Sequence, residues 1–145
     1  MWTNSKTIAY NLGAGVGISY KLKNYKISGN LTYAELQRKS ANDGLEDGFN
    51  TPSWIVNASL ANSNVYRNFG FNVTYRWQDD YYWQSFLVSG QVPAYSNVDV
   101  QVTKTIKDIM VKAGGNNILN DYYNSYLGGP SVGGFYYLTV SYNLN

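Results

Sequence analysis

The sequence predicts an all-β chain, an antiparallel up-and-down segment of a transmembrane β-barrel wall with about seven strands. Three observations lead there. Between residues 69 and 77, Phe69, Phe71, Val73, Tyr75 and Trp77 alternate without exception with Gly70, Asn72, Thr74 and Arg76. Successive strand side chains point to opposite faces, so this stretch has one apolar and one polar side. The same period recurs along the chain, and the connections between the periodic stretches are alternately short and long. Short periplasmic turns and long extracellular loops give that rhythm to outer-membrane barrels.

Composition agrees. Charged residues make up 14% of the 145, against roughly 25% in soluble domains, while Tyr is present 15 times. A net charge of +2 implies no nucleic-acid partner. With neither Cys nor His, thiol chemistry, disulfides, imidazole catalysis and the usual zinc ligands fall away. No apolar run approaches the ~18 residues of a membrane helix, and the mean hydropathy is −0.35. A barrel tolerates this because half of each strand faces a polar lumen.

The strands are expected at 8–22, 25–36, 54–62, 69–77, 95–106, 109–117 and 135–144. Most approach the ~9–11 residues that cross a bilayer at a tilt. The first puts Leu12, Ala14, Val16, Ile18, Tyr20 and Leu22 outward, and the second Tyr25, Ile27, Leu31 and Tyr33. The third offers Trp54, Val56, Ala58 and Leu60; the fourth is the Phe69 set; the fifth has Val98, Val100 and Val102. Ile109, Val111 and Ala113 follow, then Tyr136, Leu138, Val140, Tyr142 and Leu144. The other side is Gly, Ser, Thr, Asn and Gln, with Lys21, Lys26, Arg76, Asp99 and Lys112.

Lys23-Asn24, residues 63–68 and Lys107-Asp108 are the brief connections; 37–53, 78–94 and 118–134 are the long ones. With the short turns periplasmic, Tyr20, Tyr25, Phe69 and Tyr142 form one aromatic row at the membrane interface. Tyr33, Trp54, Tyr75, Trp77 and Tyr136 form a second at the outer one. An odd number of strands would leave two edges open in lipid, each a row of unsatisfied backbone groups. The chain is therefore expected to be a piece of a larger barrel. Residues 1–6 lack a secretion signal, consistent with a removed leader or an internal segment.

The residues also resemble a known family. Phe49 to Pro52, Asn68 to Asp79, Val92-Pro93-Ala94 before Val98 to Val102, Gly115 to Tyr123, and Gly129 to Gly133 before the last strand are similar in kind and order to the C-terminal barrel region of TonB-dependent outer-membrane receptors. The resemblance implies a 22-stranded plugged barrel in the bacterial outer membrane that imports bulky solutes: ferric chelates, cobalamin or glycans. Its partners would be outer-membrane lipid, the remaining strands and the plug, with TonB reached only through an N-terminal region. That plug and TonB box would precede this segment. Barrels of this kind commonly end on Phe or Trp, and the end here is Leu144-Asn145.

Candidate sites are few. Gly13, Gly15 and Gly17 lack the spacing and following helix of a dinucleotide loop and read as small lumen-facing residues. Sequons at Asn30, Asn57 and Asn72 fall on the polar strand face. The acidic run from Asn42 to Gly48 departs from EF-hand spacing and reads as a solvated turn. Adjacent Asp79 and Asp80 do not make a glycosidase pair, so no enzyme, cofactor or metal is expected. The ligand-binding candidates are the loop aromatics Tyr81, Tyr82, Trp83, Tyr122, Tyr123 and Tyr126, whose rings can stack on sugars and chelates. Two other architectures share the period: a soluble lipocalin-like barrel or sandwich with inside and outside exchanged, and a small stand-alone outer-membrane barrel.

Overall fold

A computed structural model describes residues 8–38 and 48–143. It is all-β. Seven strands form one antiparallel sheet: β1 (Ala9–Leu22), β2 (Tyr25–Arg38), β3 (Trp54–Tyr66), β4 (Phe69–Gln78), β7 (Tyr95–Ile106), β8 (Ile109–Asn116) and β11 (Phe135–Tyr142), adjacent in that order. The remaining strands are two small hairpins within long loops, β5 (Tyr81–Gln84) with β6 (Ser89–Val92), and β9 (Tyr123–Asn124) with β10 (Ser131–Val132). All seven wall strands therefore lie where the period places them. The two hairpins were not expected, because ladders of four and two residues are too short to display a period.

The register carries the alternation across the whole sheet. Leu31 faces Val16 on one side and Val56 on the other, Val56 faces Trp77, and Val73 lies between Leu60 and Val100. Val102 continues to Ala113, and Ala113 to Leu138. One face is thus a continuous apolar surface seven strands wide. A one-residue slip in any ladder would turn that strand's apolar set to the wrong side.

The sheet is a single layer. Ile18 is 75% exposed, Leu138 71% and Val140 65%. By contrast, Tyr81 and Val92, the buried large hydrophobics among the described residues, are both in the β5–β6 hairpin. A soluble domain hides such a surface against a second layer.

The opposite face holds Ser28 and Ser59, whose hydroxyls are 2.7 Å apart, with Asn57, Thr74, Gln101 and Lys112. It is less uniformly polar than expected, for Ile55, Tyr95, Phe135 and Tyr137 also lie on it. The Tyr137 hydroxyl donates to Gln101 Oε1 at 3.0 Å, so the ring's polar tip is satisfied.

At one end the strands are joined by tight turns. Lys23, Arg67 and Lys107 lead them, each in the left-handed region at φ 53°, 46° and 52°. The connection expected over 63–68 is only Arg67-Asn68, because β3 runs on to Tyr66 through a register shift between Asn62 and Tyr66. Gly70 sits beside that bulge. A Cβ there would lie 2.8 Å from the Asn62 carbonyl oxygen and 2.9 Å from that of Ser63, both fixed backbone.

Candidate functional site

The long connections gather at the other end of the sheet, and the two hairpins rise from it. A side-chain clamp sets the first. Asn50 Nδ2 donates to the Gln84 carbonyl at 2.9 Å, and the Gln84 N–H donates to Asn50 Oδ1 at 2.7 Å. The amide so imitates a strand neighbour for β5. The Tyr81 hydroxyl reaches across to donate to the Ser125 carbonyl at 2.7 Å, tying the first hairpin to the second.

A polar chain beginning in the sheet fixes the second hairpin. Arg76 forms an ion pair with Asp99 and donates through Nε to Asn97 Oδ1 at 3.3 Å. The other Asp99 oxygen accepts the Asn117 N–H at 2.9 Å. Asn117 then donates through Nδ2 to the Asp121 carbonyl at 2.8 Å, and the Ile118 N–H donates to the Val98 carbonyl at 2.9 Å. Farther round, Asn120 Oδ1 accepts the Gly134 N–H at 2.7 Å. Asn97 and Asn117 are buried, so these bonds replace water that the groups have lost.

The six predicted aromatics divide. Tyr81, Trp83 and Tyr126 form one connected group: the Tyr81 and Trp83 centroids are 6.5 Å apart, nearly edge-on, and Trp83 lies 5.5 Å from Tyr126. Tyr123 instead stacks on Tyr95 at 3.9 Å. Tyr82 and Tyr122 are 56% and 69% exposed. Between the hairpins lies a cleft of about 230 Å³ lined by Pro93, Tyr95, Tyr122, Tyr123 and Tyr126. Tyr82 borders a separate hollow of about 400 Å³ with Glu35, Asn50 and Asp80. Tyr122, Tyr123 and Tyr126 thus line one recess and Tyr81 and Tyr82 the other, while Trp83 lines neither of the two.

Sequence reasoning missed Tyr95 and Asn50. Tyr95 left a trace: it is an aromatic on the polar face, breaking the alternation. Asn50 left none, for its partner lies 34 positions away.

Burial pushes the Tyr81 phenol above the ordinary tyrosine range. The folded chain holds the neutral phenol more firmly than the unfolded one does. Its contribution is complete below about pH 10 and is lost as pH rises past the unfolded and then the folded value. Trp83 fluorescence should therefore change at alkaline pH, and Tyr81→Phe should remove that step. A transition surviving in Tyr81→Phe would assign it elsewhere.

Asp79 and Asp80 do not face each other across a recess. Asp79 Oδ1 accepts the Asp80 N–H at 3.0 Å, and Asp80 bonds Gln91. Among the described residues no group of three or more His, Cys, Asp or Glu gathers as metal ligands would. Most of the acidic run from Asn42 to Gly48, residues 1–6, and Leu144-Asn145 lie outside the described residues.

The nine aromatics expected at a membrane interface share the apolar face. Tyr20, Tyr25, Phe69 and Tyr142 lie toward the tight turns; Tyr33, Trp54, Tyr75, Trp77 and Tyr136 lie toward the long loops. Tyr33 and Trp54 pack at 4.6 Å, and the Tyr136 hydroxyl donates to the Ile118 carbonyl at 3.2 Å.

No family model matches the chain, and no curated protein matches it. Eight chains of solved structures do. One is the FrpB iron transporter from Neisseria meningitidis (F3-3 variant), with a TM-score of 0.72 and 18% identity over 92% of this chain and 23% of that one. Another is the siderophore receptor PiuA from Acinetobacter baumannii, with a TM-score of 0.73 and 16% identity over 94% and 22%. The chain spans less than a quarter of the length of either. At such identities the likeness is one of fold, a stretch of antiparallel β-barrel wall.

Proposed function

We propose that this chain is a wall segment of a TonB-dependent outer-membrane receptor, contributing part of a larger plugged barrel that imports a bulky solute such as a ferric chelate, cobalamin or a glycan. One observation carries the reading: an exposed apolar surface seven strands wide, backed by a polar face of Ser, Thr, Asn and Gln. Lipid accepts such a surface on a single layer, and a water-filled or plugged lumen accepts its back. The paired aromatic rows, at headgroup level on either side, support the same placement. The outermost strands β1 and β11 each have one neighbour in the sheet, which fits a segment whose other edges pair with further strands.

In this reading the receptor is structural in the wall and selective in the loops. Refolded with detergent micelles, the chain should give β-sheet circular dichroism and, for want of closure, no heat-sensitive gel shift. A soluble β-protein in plain buffer would overturn the membrane placement.

Tyr82→Ala combined with Trp83→Ala in a full receptor carrying this segment should weaken ligand binding about tenfold, as expected for losing stacked aromatic contact. Unchanged affinity would remove the loop aromatics from the site.

A further inference from the structure

Charge is divided along the strands. Near the tight turns stand Lys21, Lys23, Lys26, Arg67, Lys104 and Lys107, with Asp108 the one carboxylate among the described residues. Toward the long loops stand Glu35, Asp79, Asp80, Asp99 and Asp121, with Arg76 the one cation among side chains described there. Arg76 is paired, whereas none of the six turn-end cations makes an ion pair among the described residues.

The tight turns have a second peculiarity. Each of the three is led by a cation with positive φ, a conformation that Gly or Asn adopts at less cost. Geometry alone would favour those residues, so the charge at these positions calls for another account.

Three of the cations border the apolar face. Lys104 lies on it, opposite Phe69 and Val111, and its Nζ turns to the strand end to donate to the Arg67 carbonyl at 2.5 Å. The Arg67 guanidinium lies 5.0 Å from the centre of the Tyr66 ring, itself paired with Phe69. Lys107 follows Ile106, which is 58% exposed. Positive charge thus sits immediately beside an exposed apolar surface.

Resting on the wall reading above, we propose that Arg67, Lys104 and Lys107 form a binding site for the phosphate headgroup of an anionic phospholipid in the leaflet at the tight-turn end. The acyl chains lie along Tyr66, Phe69 and Ile106. The carboxylates at the opposite end repel such a headgroup, so the site belongs to the tight-turn end alone. Lys21 and Lys26 face each other on the polar side and are not part of it.

The test uses a full receptor carrying this segment, reconstituted in vesicles of phosphatidylcholine with and without phosphatidylglycerol. After mild detergent extraction, retained lipid is counted by native mass spectrometry. Phosphatidylglycerol should be retained in preference, and raised salt should erase the preference. Arg67→Asn, Lys104→Gln and Lys107→Asn together should reduce it about a hundredfold, near fivefold per charge. Lys21→Gln with Lys26→Gln should leave it intact. Equal retention of both lipids by a folded barrel would overturn the site and leave the wall reading standing, whereas failure to fold in either vesicle would overturn the wall reading itself. A preference that persists in the triple variant, or vanishes in the Lys21 and Lys26 pair, would overturn the assignment to these residues.

Discussion

Val73→Arg is expected to cost the folded barrel about 2–4 kcal/mol, and Thr74→Arg, one residue on, about 0–1. Val73 lies mid-strand in β4, between Leu60 and Val100 on the apolar face. In the proposed orientation it sits near the bilayer midplane, where a guanidinium loses its water and gains no partner. Thr74 turns to the other face between Ser59 and Asp99, where a new Arg meets water and a carboxylate. Urea unfolding of a receptor carrying each variant in lipid vesicles gives both values. Equal costs would mean that the two faces share one environment, and the membrane placement would fail. The penalty should also shrink for Phe69→Arg, near the tight-turn end of the same strand.

Asp99→Ala is expected to cost about 2–3 kcal/mol and to release the loop that follows β8. The Arg76 side chain is 46% exposed, so the ion pair itself contributes little. The larger loss is the bond from the buried Asn117 N–H, which would be left without an acceptor and without water. Asn117 orients Asp121 and hence the chain leading to Tyr122 and Tyr123. Amide exchange should accelerate from residue 117 to 134 while the β3–β4 ladder keeps its protection. Asp99→Asn is the finer probe, because it retains an acceptor oxygen. If Asp99→Ala left the loop as protected as before, the loop would be held by the stacked tyrosines rather than by this anchor.

The strand count and the two faces were legible because each of the seven wall strands is long enough to repeat its period several times. Local alternation then sufficed, and the register merely extended it. What was not legible depends on partners distant in sequence. The Asn50 clamp on Gln84, the reach of Tyr81 to Ser125 and the Tyr95–Tyr123 stack each join segments that no short window contains. That Tyr122, Tyr123 and Tyr126 line one recess and Tyr81 and Tyr82 another could not be read from the sequence. That division follows from which rings the two hairpins turn toward each other. The end of β3 was misjudged for a related reason: Ser63 to Tyr66 breaks strict alternation, and the bulge it produces looks like a loop in one dimension.

Every ladder in the sheet joins strands that are successive members of the wall, with at most one small hairpin intervening. The entropy of closing each loop is accordingly modest, since no pairing waits for the far end of the chain. Such a wall can assemble progressively, one hairpin serving as template for the next. In a larger barrel of the kind proposed, the slow step would belong to pairing β1 and β11 with further strands, not to order within the sheet.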